Sequence, residues 1–204
     1  MKIIDIDSWD RKDHFLLFKQ SACAQYHIGL DLDITSFKMK IKNQGLSFTM
    51  AMTYACSLAM NQVEQFRYRI SKGRIILHEV IHPALAYVAP DRKYFKMVVV
   101  ELDSRLEIFA AKALAQKDYF ISEDLRERDD LIFISSLPKV SFTHLSHTLP
   151  ANKDDAVPRL SWGKYYLRDG ALMLPFNVQA HHGFVDGDHM GCFLEDLQGY
   201  LHNY

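Results

Sequence analysis

Residues 172–201 read LMLPFNVQAHHGFVDGDHMGCFLEDLQGYL, and their division into three parts decides the fold. Positions 172–180 are almost continuously apolar, the pattern of a strand covered on both faces. Met190, Phe193, Leu194, Leu197 and Leu201 then recur at helical spacing, so a helix closes the chain. Between them stands His181-His182-Gly183-Phe184-Val185-Asp186-Gly187-Asp188-His189, a polar turn from strand to helix. Gly183 and Gly187 permit a tight backbone path, and Asp188 is expected to cap the final helix.

The same signals extend outward through the chain. Residues 8–21 read as a helix, because Phe15, Leu16, Phe18 and Ala22 recur at helical spacing behind Asp10. Residues 26–33 alternate, with Tyr26, Ile28, Leu30 and Leu32 on one face, as a half-buried strand does. Helices are expected over 34–43 and over 47–64, the second apolar on nearly every side and therefore buried. Short β-branched and aromatic runs at 67–71, 74–77, 83–88 and 96–101 predict strands. Ser104 and Glu107 form a capping-box pattern ahead of another helix. Strands are expected again at 131–135, 139–145 and 160–167. No linker or repeat divides the sequence, so residues 1–204 are expected to form one α/β domain with a mixed sheet.

Composition narrows the function classes. Hydrophobic residues are 49% and charged residues 24% of the 204, which allows a sizeable core and argues against disorder. With 24 Lys and Arg against 25 Asp and Glu the net charge is -1, leaving no global field for nucleic acid or an anionic membrane. The expected partner is a small molecule. Cys23, Cys56 and Cys192 have no CxxC spacing and are odd in number, which suits a reducing cytoplasm. Cys192, inside the apolar final helix, is expected to be a packed, inert thiol.

The turn at 181–189 carries the chemistry. Imidazole titrates near neutrality, so a histidine held at a strand end is a natural base for a hydroxyl proton. A zinc site from His181, His182, Asp186 and His189 is the rival, but adjacent strand residues point opposite ways and no HExxH spacing is present.

HHxxxDG is similar to the catalytic signature of the chloramphenicol acetyltransferase family and its relatives. Residues 9–15, WDRKDHF, resemble that family's amino-terminal segment, and Leu32-Asp33-Ile34-Thr35 its strand-to-helix junction. Asn61, Phe66-Arg67, residues 80–83, Ser135-x-Leu137-Pro138, Lys164-Tyr165 and Leu174-Pro175 follow in family order, whereas 89–131 matches poorly. The chain is too short for a full condensation domain, so the resemblance favours the small stand-alone acetyltransferases.

The resemblance implies a two-layer mixed sheet with packed helices, acetyl-CoA as co-substrate without a metal, and chloramphenicol as acceptor, with antibiotic resistance as the consequence. It implies His182 as general base, Ser135 as oxyanion donor, and a supporting ion pair between Arg11 and Asp186. The acceptor pocket would draw on Leu17, Phe18, Ala22, Ala24, Tyr26, Phe133, His147, Leu149 and Ser161. Several of these depart from the family's drug-binding set, and a family leucine reads His147. Lys164 and Tyr165 would meet coenzyme A, while a second basic position of the family reads Ser47. A homotrimer with sites between subunits is implied too. A related acyltransferase with another hydroxyl or amine acceptor, or a binding module without turnover, are the alternatives.

Overall fold

A computed structural model describes residues 1–88, 93–116 and 128–204. Of the poorly matching 89–131 stretch, therefore, residues 93–116 and 128–131 are described. Among the described residues the main sheet has seven strands. Six run in the order β2 (Gln25–Asp33), β10 (Ala171–His181), β8 (Arg159–Trp162), β7 (Leu131–Ser136), β5 (His82–Tyr87) and β6 (Lys96–Val99), while β9 (Tyr166–Arg168) pairs with β10 farther along. β5, β7 and β8 run parallel and the other pairings are antiparallel, so the sheet is mixed as expected. A small sheet of β1 (Lys2–Ile4), β4 (Arg74–Leu77) and β3 (Tyr68–Ser71) stands apart.

The helices are α1 (Lys12–Lys19), α2 (Thr35–Asn43), α3 (Phe48–Gln62), α4 (Leu106–Gln116) and α5 (Gly187–Asn203). α3 lies at the centre of the helical layer, packed on α2, α4, α5, β5 and β7, which explains why it is apolar on most sides. One core unites Phe37, Met60, Phe66, Phe176, Val178, Phe193 and Leu197 between helices and sheet. Alternation turns Phe133, Ser135, Ser161, Asn177 and Gln179 to the opposite face, where Ser161, Asn177 and Gln179 are also buried. That double burial is why β10 reads as nearly continuous apolar sequence.

The junction at 32–35 shows what its residues do. Asp33 Oδ1 accepts from the backbone N–H and hydroxyl of Thr35, and Gln198 of α5 grips both backbone groups of Asp33. Asn61 likewise exchanges two hydrogen bonds with the backbone of Ile81, fixing the end of α3 at the entry to β5.

Five expectations need correction. The first helix begins at Lys12, not at residue 8, because Trp9 turns inward against Phe15, Tyr68 and Phe184. At the start of α4 it is Asp103, not Ser104, whose carboxylate accepts backbone N–H groups, those of Ser104 and Arg105. Residues 139–145 form no strand. Val140 bonds instead to Leu137 and Lys164, and Ser141 to the carbonyl of Lys164, so this segment crosses the β8–β9 break and joins no ladder. The 160–167 run is split at residues 163–165 into β8 and β9 for the same reason. Cys192 is exposed, on the outer side of α5, whereas Cys56 is buried in α3.

Gly163 is the residue that permits this crossing. A Cβ there would stand 2.5 Å from the carbonyl oxygen of Val140, too close for any side chain. Gly163→Ala is therefore expected to destabilise the fold by about 1–3 kcal/mol, the usual cost of overpacking. Urea unfolding of the purified variant measures it, and an unchanged midpoint would show that the crossing segment yields freely.

Candidate active site

β10 ends at His181, and the chain then turns through residues 182–185 into α5. The two histidines leave the strand into different surroundings. His181 is buried against Phe15 and Phe184, and its Nδ1 accepts the N–H of Gly183. Burial pulls its pKa down to about 4, so it is a neutral packing residue near pH 7.

His182 is held between two rings. Phe18 of α1 stacks at 4.1 Å between centroids and 14° between planes, and Tyr26 of β2 at 4.3 Å and 30°. Its backbone N–H donates to the carbonyl of Ala24 at 2.7 Å, which locks the turn to the start of β2. Nδ1 is buried without a hydrogen-bond partner, so the imidazole meets its surroundings through Nε2. Burial pushes the Tyr26 phenol up to about 12, keeping it protonated beside the ring.

Asp186 braces the turn with both oxygens. Oδ2 accepts from Arg11 at 2.9 Å, and Oδ1 accepts the backbone N–H groups of Asp188 and His189. His189 Nδ1 completes a capping box by accepting the N–H of Asp186. Asp186, not Asp188, is thus the N-cap of α5. Burial opposes ionisation of Asp186, but the Arg11 bond, the His189 N–H and the nearby charges prevail and hold its pKa below the usual carboxylate value. Neither oxygen touches His182, and His181 and His189 are committed to packing and capping. Among the described residues no three His, Cys, Asp or Glu side chains are grouped to hold a metal ion.

Ser135 stands elsewhere. It lies on β7 opposite Ser161 of β8, which in turn lies opposite Asn177 of β10. Strand geometry separates it from His182 by about 15 Å along the sheet and two strand spacings, about 10 Å, across it. Its hydroxyl makes no hydrogen bond among the described residues. Ser135 lines a cavity of about 290 Å³ with Phe133, His147, Met97 and Arg159. There His147 Nε2 lies 2.7 Å from Ser161 Oγ, the His147 backbone N–H donates to Gln179, and Arg159 sits over the Phe133 ring in an ion pair with Asp155.

The nine pocket residues read from the sequence therefore divide. Phe18, Ala24 and Tyr26 surround His182; Ala22, Ala24 and Leu149 line a second cavity of about 190 Å³ that reaches His181. Phe133 and His147 join Ser135, with Ser161 buried behind them. Leu17 is 66% exposed and lines none of these cavities. Lys164 and Tyr165 sit in the β8–β9 turn, where Lys38 of α2 lies 4.4 Å over the Tyr165 ring. Ser47 caps α3 nearby by accepting the Met50 N–H. Lys38, Met97 and Arg159 are residues that sequence reasoning missed, since nothing local to their segments marks them.

The family model for chloramphenicol acetyltransferase matches residues 1–198. This chain belongs to the chloramphenicol acetyltransferase family. A chloramphenicol acetyltransferase of Streptomyces acrimycini is 30% identical over 206 residues, covering 97% of this chain and 93% of the relative. Another, from Klebsiella sp, is 28% identical over 201 residues, covering 97% and 92%. A solved chloramphenicol acetyltransferase structure superposes with a TM-score of 0.90 at 27% identity, covering 98% of this chain and 99% of its own.

Two outcomes follow from the bracing residues. Asparagine caps helices as well as aspartate but cannot pair with Arg11, so Asp186→Ala should cost about 1 kcal/mol more than Asp186→Asn in urea unfolding. Equal losses would show that the cap contributes nothing. His181 generates an acid limb: between its ordinary value of 6.5 and about 4, the unfolded chain binds a proton that the folded chain refuses. Stability is therefore complete above pH 6.5 and falls towards pH 4 by up to about 3 kcal/mol from this residue. Thermal melting across that range should be flatter in His181→Gln, and an identical slope would contradict the assignment.

Proposed function

We propose that this protein is an acetyl-CoA-dependent O-acetyltransferase of the chloramphenicol acetyltransferase type, acting as a single domain in the cytoplasm. The observation that carries the reading is that Ser135, in the Ser-x-Leu-Pro context, keeps its hydroxyl uncommitted in a cavity within a chain of this family. His182, with its open Nε2, is the general base: with the hydrogen on Nδ1, Nε2 accepts the acceptor's hydroxyl proton as the oxygen attacks the thioester carbonyl. Ser135 donates to the oxyanion that develops on that carbonyl. When the intermediate collapses, the carbon–sulfur bond breaks, and the imidazolium returns its proton to the departing thiolate. Both substrates are bound together, so no acyl-enzyme is required.

The separation of the two residues supports the oligomer. A base and an oxyanion donor for one carbonyl must each come within about 3 Å of their reacting atoms, which His182 and Ser135 of one chain cannot do at their spacing. A second copy that brings its His182 to the cavity of Ser135 completes the site, and a closed homotrimer supplies three such sites. Phe133, His147, Leu149 and Ser161 then belong to the acceptor side, and Phe18, Ala22, Ala24 and Tyr26 to the base and its approach. Lys164 and Tyr165 hold the nucleotide end of coenzyme A. The free thiols of Cys23, Cys56 and Cys192 support a reducing compartment, and no described helix is long and apolar enough to cross a membrane.

Thiol release from acetyl-CoA, followed with a chromogenic reagent with and without chloramphenicol and other alcohols, tests the reading. Acceptor-dependent release should fall about 10²–10³-fold in Ser135→Ala and to background in His182→Ala. Refolding the two inactive variants together should restore about a quarter of the wild-type rate, the share of interfaces pairing an intact base with an intact serine. Absence of restoration, with mixed oligomers demonstrated, would exclude a site shared between copies. A folded wild type that releases no thiol with any acceptor would overturn the activity.

A further inference from the structure

The wall of the Ser135 cavity contains a hydrogen-bonding device that the transfer reaction does not use. Ser161 Oγ donates its single proton to the carbonyl of Leu160 at 2.9 Å. With that proton so placed, the contact of 2.7 Å between the same oxygen and His147 Nε2 puts the imidazole hydrogen on Nε2. In that tautomer Nδ1 is a bare acceptor. No described residue hydrogen-bonds to Nδ1, and it is absent from the buried polar atoms lacking partners, so it remains accessible.

The ring is also immobilised. Gln179, itself buried, accepts the His147 backbone N–H at 3.2 Å, and Ser161 is wholly buried behind the imidazole. Burial, reinforced by the nearby Arg159 charge, lowers the His147 pKa from 6.5, so the neutral ring persists at neutral pH. The Arg159 charge is compensated by Asp155, and two of its five N–H donors are taken by Asp155 and the Val157 carbonyl. Beyond Phe133 and Arg159 the groove opens into a space of about 640 Å³ whose walls include Arg128, Asp129 and Asp154. The outer part of the groove is polar too.

We propose that His147 selects acceptors that carry a second hydrogen-bond donor, a hydroxyl or amine, besides the hydroxyl that is acetylated. This rests on the acetyltransferase reading and names its substrate class: diols and amino alcohols rather than mono-alcohols or their ethers. A site with a fixed acceptor rejects a molecule of equal size that lacks the donor, because the acceptor is then buried unpaired.

The test ranks kcat/KM for acetyl transfer to matched sets of diols, amino alcohols, mono-alcohols and diol mono-methyl ethers on common carbon skeletons. Wild type should favour the donor-bearing member of each set by about tenfold. In His147→Leu, checked for native circular dichroism, the preference should shrink to within about twofold, mainly through gains by the ethers and mono-alcohols. His147→Asn, which keeps an acceptor close to the position of Nδ1, should retain part of the preference. Wild type favouring mono-alcohols, or the same ranking in folded His147→Leu, would overturn this inference while leaving the transferase reading intact. Transfer to no acceptor at all by wild type would overturn both.

Discussion

The carboxylate of Asp186 is the junction on which the geometry of this protein turns. One oxygen receives Arg11 from the start of α1, and the other caps α5. The entry to α1 and the first turn of α5, distant in sequence, thereby meet at a single side chain in the turn that follows β10. His182 lies in the turn so braced, and the phenyl ring of Phe18 that covers it comes from the helix Arg11 anchors. The arrangement explains why an aspartate four residues beyond a candidate base need not touch the base. Its work is positional, done through the backbone it fixes. Arg11 is held on one side only, since its Nε and Nη2 are buried without protein partners, so the pair has no substitute contact if Asp186 is lost.

Adjacent histidines with opposite fates illustrate how environment assigns chemistry. His181 is surrounded by Phe15 and Phe184 and bonded to Gly183, so its basicity is suppressed and its surface consumed. One residue later the pleat reverses the side chain, and His182 emerges between aromatic faces with one nitrogen open. Sequence places both in a polar turn. Only the partners, brought from α1 and β2, distinguish a packing imidazole from one with a nitrogen left open.

Much of the frame was legible because its signals are local. The alternation of β2, the heptad-like spacing of α5 and the apolar run of β10 each report burial through their own period, and the observed bounds differ by few residues. The HHxxxDG turn was legible through family likeness, which also pointed to Arg11. What escaped depended on tertiary partners. Residues 139–145 carry strand-forming side chains, yet no ladder edge is available to them where they cross the sheet at Gly163. Cys192 lies among apolar helical neighbours but turns outward between Gly191 and Phe193, a rotation that apolar content alone cannot reveal. The hydrogen bond from His147 to Ser161 joins a coil to a strand across fourteen positions, and no pattern in either segment announces it.

The crossing segment has an evolutionary consequence. His147 and Thr148, which shape the cavity beside Ser135, belong to a stretch tied to the sheet by scattered single bonds instead of a ladder. Ladder strands transmit a change in one register to every neighbour, whereas this stretch can exchange side chains without disturbing the pairing beneath it. The frame that holds His182 and the surface that lines the Ser135 cavity are therefore separately mutable. A lineage can reshape that cavity by altering this single overlay, with the strand pairing beneath it inherited intact.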